Sequence, residues 1–430
     1  MTSYGRRIAI VCQPWDNVSP QDNSSIPVIA YQLARRLAGD WHVTLYGRRG
    51  RGQKRRGFDG ENIEFKRLRV FQKPQSLVEV LLGILACYKK ICFPYIISYW
   101  YHLFYCIRVA LSIRASKSDV VLVFNFVQFA KIIKLLNPAA RICLHMQCEW
   151  LSDFAKASER RLRAVDLIFG CSDYITERIR TSFPEMAARC HTVYNGVDPA
   201  LFCAALDLPA DSNKVGRLLY VGRLSSEKGV HVLVQAFRLL IRNYPGLKLD
   251  LVGSADAPKY IYSCPNLQDP AIASYQPFYG KTLFDMVRRQ LILRNRSYYD
   301  NLAVEAAGDA RIIFHGAVAH ADTIDFYRGA ALVVVPSVWH EPFGIPTIEA
   351  MACGVPVVST FSGGIPEIVE QGRTGILVAR GDVRELALAI GQLIDNPALA
   401  HAMGEAGRQR AIERFSWDVV SRRLADLIRL

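Results

Sequence analysis

In "HEPFGIPTIEA", residues 340–350, two glutamates with seven residues between them, Glu341 and Glu349, bracket a Phe-Gly-Ile-Pro turn. The run "AALVVVP" just upstream reads as a buried strand, and carboxylates that close to one are costly to bury unless something hydrogen-bonds to them. Pro346 suits the first turn of a helix running to about Cys353, which Gly354-Val-Pro would stop. The amides around Gly344 and Ile345 then open the helix, with Glu341 ahead of it and Glu349 on it. A carboxylate in either place has acceptor capacity for a pair of sugar hydroxyls. The plainer alternative leaves Glu341 exposed and has Glu349 capping its own helix.

Three other strand ends carry chemistry of the same kind. In "YVGRLSSEKGV" (220–230), a strand ends at Gly222, Arg223 and Lys228 lie in the loop, and Gly229 lets the next helix start tightly. Two cations beside a helix N-terminus suit a diphosphate, although loop cations are more often simply solvated. "TFSGGIPEIVEQGRTGILV" (360–378) is again strand, Gly-Gly and helix, and Gly363 and Gly364 either allow a ligand close to the backbone or make a plain turn. In "CLHMQCEW" (143–150), His145 closes a strand of the first half, where it is either structural or turned toward a ligand. Cations and helix amides for a diphosphate, with carboxylates for hydroxyls, describe a nucleotide-sugar site. No Asp-x-Asp motif stands in a convincing setting, so no metal ligands and no resident cofactor are expected. The nucleotide-diphosphate sugar enters as a substrate.

Open α/β sheets place ligands beyond the carboxyl ends of their strands, so these four stretches need two such sheets. The chain opens with strand "RIAIVCQ", helix "IPVIAYQLARRLAG" and strand "HVTLYG", a βαβ unit. Strands are expected at 119–125, 140–146 and 167–172. "TVYNGVDPALF" (192–202) breaks the pattern with Asn-Gly and Asp-Pro, and the interdomain connection is placed at 200–215. A second series follows: "GRLLYVG", a helix, "LKLDLVG", then "ARIIFHG", "ALVVVPS", "VPVVST" and "GILVA". The aromatic, turn-rich stretch 254–308 reads as an insertion. The expectation is an α/β protein of two Rossmann-like parallel-sheet domains facing a cleft, residues 1–205 and 215–414. The amphipathic helix 415–430 is expected to pack back on the first.

A length of 430 residues exceeds one ordinary core, and the balance of 51% apolar to 21% charged residues excludes a disordered chain. The eleven cysteines contain no Cys-x-x-Cys pair and read as reduced, buried thiols. "MTSYGRRIAIVCQ" is expected to begin a strand rather than the apolar region of a signal peptide. Of the net charge of +14, nearly all lies in residues 1–150, which hold 22 Lys and Arg against 9 Asp and Glu. The charge peaks in "YGRRGRGQKRRG" (46–57), expected as an exposed loop. Such a run fits nucleic acid, an anionic membrane, a phosphorylated substrate or a solvated loop. The aromatic stretch 77–113 is broken by Pro94 and charges, which argues against a spanning helix. It packs on the first sheet or lies in a membrane interface.

Together, "VGRLSSEKGV", "PSVWHEPFGIPTIEAMACGVPVVST", "GGIPEIVEQGRTGILV", "NGVD" and "RFSWD" resemble the retaining GT-B glycosyltransferases of family 4, specifically over about 215–420. The resemblance implies that Arg223 and Lys228 bind the donor diphosphate, Glu349 the ribose and Glu341 the transferred sugar. It also implies that Phe343, Gly344 and Ile345 offer amides to sugar and phosphates, with Gly363 and Gly364 beside them, and that His145 approaches the sugar from the first domain. The terminal helix with Trp417 would cross back onto the N-terminal domain. One departure is plain: the first βα loop carries Asn23, Ser24 and Ser25 where such enzymes have a Gly-Gly pair. The implied activity is metal-independent retaining transfer, by a front-face route, of a hexosyl-type sugar from a UDP- or GDP-sugar. The acceptor is a glycan or lipid-linked glycan in cell-surface polysaccharide or glycoconjugate synthesis. The chain is expected in the cytoplasm, with peripheral contact to an anionic membrane through 46–113 and no nucleic-acid partner. A soluble acceptor, or a nucleotide-sugar binder or epimerase on the same fold, is the alternative. An oxidoreductase is disfavoured because no Gly-x-Gly-x-x-Gly follows any strand.

Overall fold

The apolar runs form two separate sheets. The computed structural model describes residues 5–19, 25–70, 98, 100–203, 216–255 and 298–429. The chain divides into two compact units, Met1–Asn195 with Trp417–Leu430, and Gly196–Ser416. Asn23, Ser24, residues 77–97 and 99 of the aromatic stretch, 204–215 of the expected connection and 256–297 of the expected insertion lie outside the described residues.

The first unit is built on β1 (Arg6–Val11), β2 (Trp41–Arg48), β3 (Arg56–Asp59), β4 (Ile63–Leu68), β5 (Val120–Phe124), β6 (Arg141–Met146), β7 (Leu167–Gly170) and β8 (Cys190–Thr192). Their spatial order is β3-β4-β2-β1-β5-β6-β7-β8, parallel throughout except for β3 against β4. Ile8 pairs with Val43 on one side and Val120 on the other. Ile8 to Val11 are wholly buried, which is why β1 reads as a continuous apolar run and not as an alternation. β1, β2 and β4 grow one way and β5 to β8 the other, so the order reverses between β1 and β5. The helix Ser25–Leu37 buries Ile29, Ala30, Leu33, Ala34 and Leu37, a helical spacing. The helix Leu103–Ser116 buries Tyr105, Cys106, Val109, Ala110 and Ile113, and the Tyr46 hydroxyl lies 3.2 Å from Ser112 Oγ. Its Phe104 and Leu111 remain exposed. The helix Trp417–Arg429 belongs to this unit and packs on Ser25–Leu37, with Arg36 Nε 3.2 Å from Asp418 Oδ1.

Residues 49–55 of the basic run 46–57 form the expected loop, with Arg51, Gly52, Lys54 and Arg55 exposed, but the two ends of the run are strand. Tyr46 to Arg48 finish β2, and Arg56 and Gly57 begin an antiparallel edge strand. Between them Gly50 N donates to Gln53 Oε1 (2.9 Å) and Arg49 Nε to Gln53 O (2.7 Å), closing the turn. Glu64 on β4 neutralises part of the edge, 3.5 Å from Arg56 and 3.3 Å from Lys66. A strand at a solvated edge needs no apolar run, so its four residues carry no such signal. β8 is likewise too short to interrupt the turn residues after it.

The second unit is built on β9 (Arg217–Val221), β10 (Lys248–Val252), β11 (Ile312–Gly316), β12 (Leu332–Val335), β13 (Val357–Thr360) and β14 (Ile376–Val378). They lie in the order β11-β10-β9-β12-β13-β14, with every pairing parallel. Leu219 pairs with Asp250 and with Val333, so this sheet reverses between β9 and β12. Val230–Leu240 and Val383–Asp395 cover it with Val234, Phe237, Leu386 and Ile390. Asp382 caps the second of these helices, accepting from the amides of Arg384 and Glu385, both at 2.9 Å. Among the described residues, no helix is long and apolar enough to cross a membrane.

Candidate functional site

At the reversal between β9 and β12, two loops meet. After β9, Gly222 N donates to Val252 O (2.9 Å), Leu224 N to Ser254 O (2.9 Å) and the Tyr220 hydroxyl to Arg223 O (2.6 Å). A 3-10 turn, Ser226–Lys228, leads to Gly229 at φ 71°, where the helix Val230–Leu240 starts. A Cβ on Gly229 would lie 1.9 Å from Pro336 O, so only glycine lets the two loops close on each other. The amides of Val338 and Trp339 then donate to Glu227 O, at 3.1 and 3.3 Å.

This lacing delivers Lys228 to Glu341. The ammonium lies 2.9 Å from Oε1 and 2.7 Å from Oε2, and 5.0 Å from the centre of the Trp339 ring. Ser337 Oγ (2.9 Å) and Trp339 Nε1 (3.0 Å) also donate to Oε2. Glu341 is 8% exposed. Burial alone would raise its pKa, but the charge and hydrogen bonds of Lys228, helped by Trp339 and Ser337, outweigh it and hold the carboxyl below its usual range. Its backbone is fixed as well: Glu341 N donates to Ser362 Oγ (2.9 Å), and Gly364 N donates to Glu341 O (2.8 Å). Gly363 stands at φ 50°, and a Cβ there would lie 2.1 Å from Glu341 O. The Gly-Gly pair thus brings its backbone close to the glutamate itself.

Glu349, 4% exposed, lies in the helix Ile345–Ala352 and does not cap it. Its Oε1 is 2.6 Å from His320 Nε2, and its Oε2 accepts from the Tyr327 hydroxyl at 2.8 Å. Burial lowers the His320 pKa, but the Glu349 charge and hydrogen bond raise it more, so the net shift is upward. Burial and then Glu349 push the Tyr327 phenol well above its ordinary value. The helix starts at Gly344 with Pro346 in its first turn, and its N-cap residue, a glycine, brings no capping side chain. Thr347 Oγ1, wholly buried in that turn, has no hydrogen-bond partner among the described residues. An uncapped helix start beside an orphaned hydroxyl and an ammonium is suited to an anion. Each carboxylate keeps unused acceptor capacity for hydroxyls.

The second unit therefore brings together Lys228, Glu341, Gly363 and Gly364, with Phe343, Gly344, Ile345 and Glu349 on the chain that follows Glu341. Phe343 is buried, its ring 5.9 Å from that of Phe415. Arg223 shares the Lys228 loop but leans on Glu227, with Nη2 3.4 Å from Oε1 and its side chain 44% exposed. His145 belongs to the first unit, wholly buried at the end of β6, with Nε2 3.2 Å from Val193 O and 3.3 Å from Gln147 Nε2. Burial lowers its pKa to about 4, partly opposed by the Val193 carbonyl, so the ring is neutral at pH 7. Sequence reasoning missed Ser337, Trp339, His320 and Tyr327. The first two were legible as neighbours, because Ser337 and Trp339 lie four and two positions before Glu341 in the same loop. His320 and Tyr327 come from the crossover between β11 and β12 and have no local signature.

The family model described as "Glycosyl transferases group 1" matches residues 210–410, and that described as "Glycosyltransferase Family 4" matches residues 26–201. Glycogen synthase of Mycobacterium tuberculosis (strain CDC 1551 / Oshkosh) is 30% identical over 260 residues, 60% of this chain and 53% of that protein. The chain thus spans about half the length of that curated relative. Among solved structures, sucrose-phosphate synthase from Thermosynechococcus elongatus superposes with a TM-score of 0.70 at 22% identity, over 99% of this chain and 98% of that one. Anabaena HepE in complex with UDP and glucose gives 0.63 at 18% identity, over 99% of each chain. Two parallel sheets with these neighbours are the GT-B fold, and with both family models matched in order along it, the chain belongs to the group 1 glycosyltransferases of family 4.

Proposed function

We propose that this chain transfers a hexosyl-type sugar from a UDP- or GDP-sugar to a glycan or lipid-linked glycan acceptor, with retention of configuration, in cell-surface polysaccharide or glycoconjugate synthesis. The observation that carries the reading is the buried Lys228–Glu341 pair at the β9–β12 reversal, beside an uncapped helix start. The anomeric C1–O bond to the diphosphate breaks, the acceptor oxygen bonds to C1, and the acceptor proton passes to the leaving phosphate oxygen. Charge develops on the diphosphate and on an oxocarbenium-like sugar. Lys228, Arg223 and the helix dipole would meet the first, at about 3–4 kcal/mol per well-placed donor. Glu341, already held as an anion, would accept from hydroxyls of the transferred sugar, and Glu349 from the ribose. A part for His145 rests on the family resemblance alone. His145→Asn tests it, by a loss of donor affinity without a change in melting temperature.

The Anabaena neighbour bound to UDP and glucose supports a UDP-glucose-type donor. A melting-temperature panel of UDP-, GDP- and ADP-sugars tests the reading, since a ligand at 100 times its Kd adds about 2.7 kcal/mol of stability. One base should raise the midpoint in the native chain, and by less in Lys228→Ala. Nucleotide release that never depends on acceptor would favour the binder or epimerase alternative. Transfer is expected to persist in excess EDTA, and loss of turnover there would contradict metal independence.

A second observation favours membrane contact. Trp100, Phe104 and Leu111 are exposed on and just before the helix Leu103–Ser116, with Arg114 and Lys117 exposed beside them. Apolar rings interleaved with cations fit an anionic bilayer surface, which would bring a lipid-linked acceptor to the first unit.

A further inference from the structure

The first sheet has its own reversal, between β1 and β5, and none of the residues described at the second unit's site lies on it. Ligands of open α/β sheets bind at such places, and here the loops present aromatic rings. Trp15 follows β1 and Phe126 follows β5, their rings meeting edge-on at 5.4 Å and 68°. Tyr101 stacks on Phe126 at 6.1 Å and 8°, while Trp15 lies 6.4 Å from Tyr101 and 6.1 Å from His102. Trp150, after β6, approaches Phe126 edge-on at 6.5 Å. Tyr101 and Phe126 are buried, but Trp15 is 38% exposed. One indole is therefore braced by rings and open to solvent.

The bracing extends to the backbone. Asp16 N donates to Gln13 O (3.0 Å), Gln13 N to Asp16 Oδ2 (3.0 Å) and Arg48 N to Asp16 O (2.6 Å), tying the Trp15 loop to β2. His102 and Asn125, neither of them glycine, stand at φ 57° and 59°, and both adjoin the ring cluster. Such conformations persist only where their surroundings enforce them. Behind Phe126 the chain is tied down too: Asn125 Oδ1 accepts from Gln147 N (2.7 Å), and Gln147 and Asn195 exchange side-chain hydrogen bonds at 2.9 and 2.8 Å.

We infer that Trp15 is the platform for an acceptor sugar ring, its indole face covered by the C–H face of a pyranose. The inference rests on the reading of the chain as a sugar transferase and adds where, and by what chemistry, it takes a glycan. Isolated exposed aromatics need no explanation, whereas a rigid one at the carboxyl edge of a reversal is a place for a ligand. A pyranose offers one apolar face and a hydroxyl rim, which matches a rigid indole in a loop that also carries Gln13 and Asp16, and not an acyl chain.

The test applies the full chain to immobilised α- and β-linked gluco-, manno- and galacto-oligosaccharides, with Trp15→Ala and Trp15→Phe alongside. The native chain and Trp15→Phe should retain at least one oligosaccharide class, and Trp15→Ala should bind it at least tenfold more weakly. The nucleotide-sugar-induced rise in melting temperature should be the same in all three, which also shows that each is folded. No oligosaccharide retained by the native chain, or equal retention by Trp15→Ala, would overturn the proposal. Loss of binding by Trp15→Ala to phosphatidylglycerol vesicles instead of oligosaccharides would overturn it too, by assigning the indole to lipid. A chain that retains oligosaccharides but gives no melting shift with any nucleotide sugar would fail the transferase reading separately, since the array needs no donor.

Discussion

Replacing Lys228 by methionine keeps the apolar stem and removes the ammonium. Glu341 would stay buried at 8% exposure, with the Ser337 hydroxyl and Trp339 indole N–H as the side-chain donors left to it. Removing one partner of a buried ion pair costs about 3–5 kcal/mol, and the 19% exposure of the Lys228 side chain puts this pair at the low end, about 3 kcal/mol. At roughly 2–4 °C per kcal/mol for a unit of this size, the melting midpoint should fall by about 6–12 °C. The pH dependence has a definite sign. The native Glu341 pKa is depressed, so the pair contributes stability that is present above the unfolded carboxylate value and lost as pH falls through the folded one. In Lys228→Met, burial acts without its main counterweight and the carboxyl pKa rises. The variant's deficit should therefore shrink on acidification from about pH 7.5 to about pH 5. Adding Glu341→Gln removes the stranded charge, so the double variant should be more stable than the sum of its singles by about 1–2 kcal/mol. Scanning calorimetry of the four proteins at both pH values reads all of this. A drop under about 2 °C for Lys228→Met, with additive midpoints, would refute the claim that the pair holds a buried anion in place.

Three further outcomes are expected. The raised His320 pKa means that its bond to Glu349 contributes stability fully present below the ordinary histidine value of 6.5 and lost as pH rises through the folded value. His320→Gln should therefore flatten the fall of the melting midpoint between about pH 6 and 9, and an unchanged slope would contradict this. Gly363→Ala puts a Cβ 2.1 Å from Glu341 O at φ 50° and should cost about 2–4 kcal/mol, read as a shift of the urea midpoint. A loss below about 0.5 kcal/mol would show that the loop can move aside. Phe104→Asp with Arg114→Glu should weaken sedimentation with vesicles containing phosphatidylglycerol by tenfold or more, at about 1 kcal/mol per interfacial cation. Equal sedimentation with vesicles of phosphatidylcholine alone would remove the charge argument.

The sequence carried much of this architecture because parallel strands buried on both faces must be written as apolar runs, as in "IAIV" and "LVVV". Loop residues at their carboxyl ends could then be searched for chemistry, and Lys228 and Glu341, 113 positions apart, were found that way. What was not legible depends on approach in three dimensions. His320 and Tyr327 reach Glu349 from 29 and 22 positions away, on a crossover whose pattern reports only its own helix. The edge strand β3 has no buried face along its four residues and so no periodic signal. Gly363 announced a close approach, but nothing local told whether a ligand or the Glu341 carbonyl would be approaching. The braced indole of Trp15 was hidden for the same reason, since Tyr101 and Phe126 meet it from segments 86 and 111 positions further along the chain.

In the proposed reaction Lys228 acts on a diphosphate leaving group. Nucleoside diphosphate release should be timed with the sugar donor that most raises the melting temperature, with and without acceptor extract, for the native chain and Lys228→Ala. Release should accelerate with acceptor and fall about 10²–10³-fold in the variant, the usual effect of losing one donor to developing charge. Turnover in Lys228→Ala within a few-fold of the native rate, at saturating donor, would contradict it.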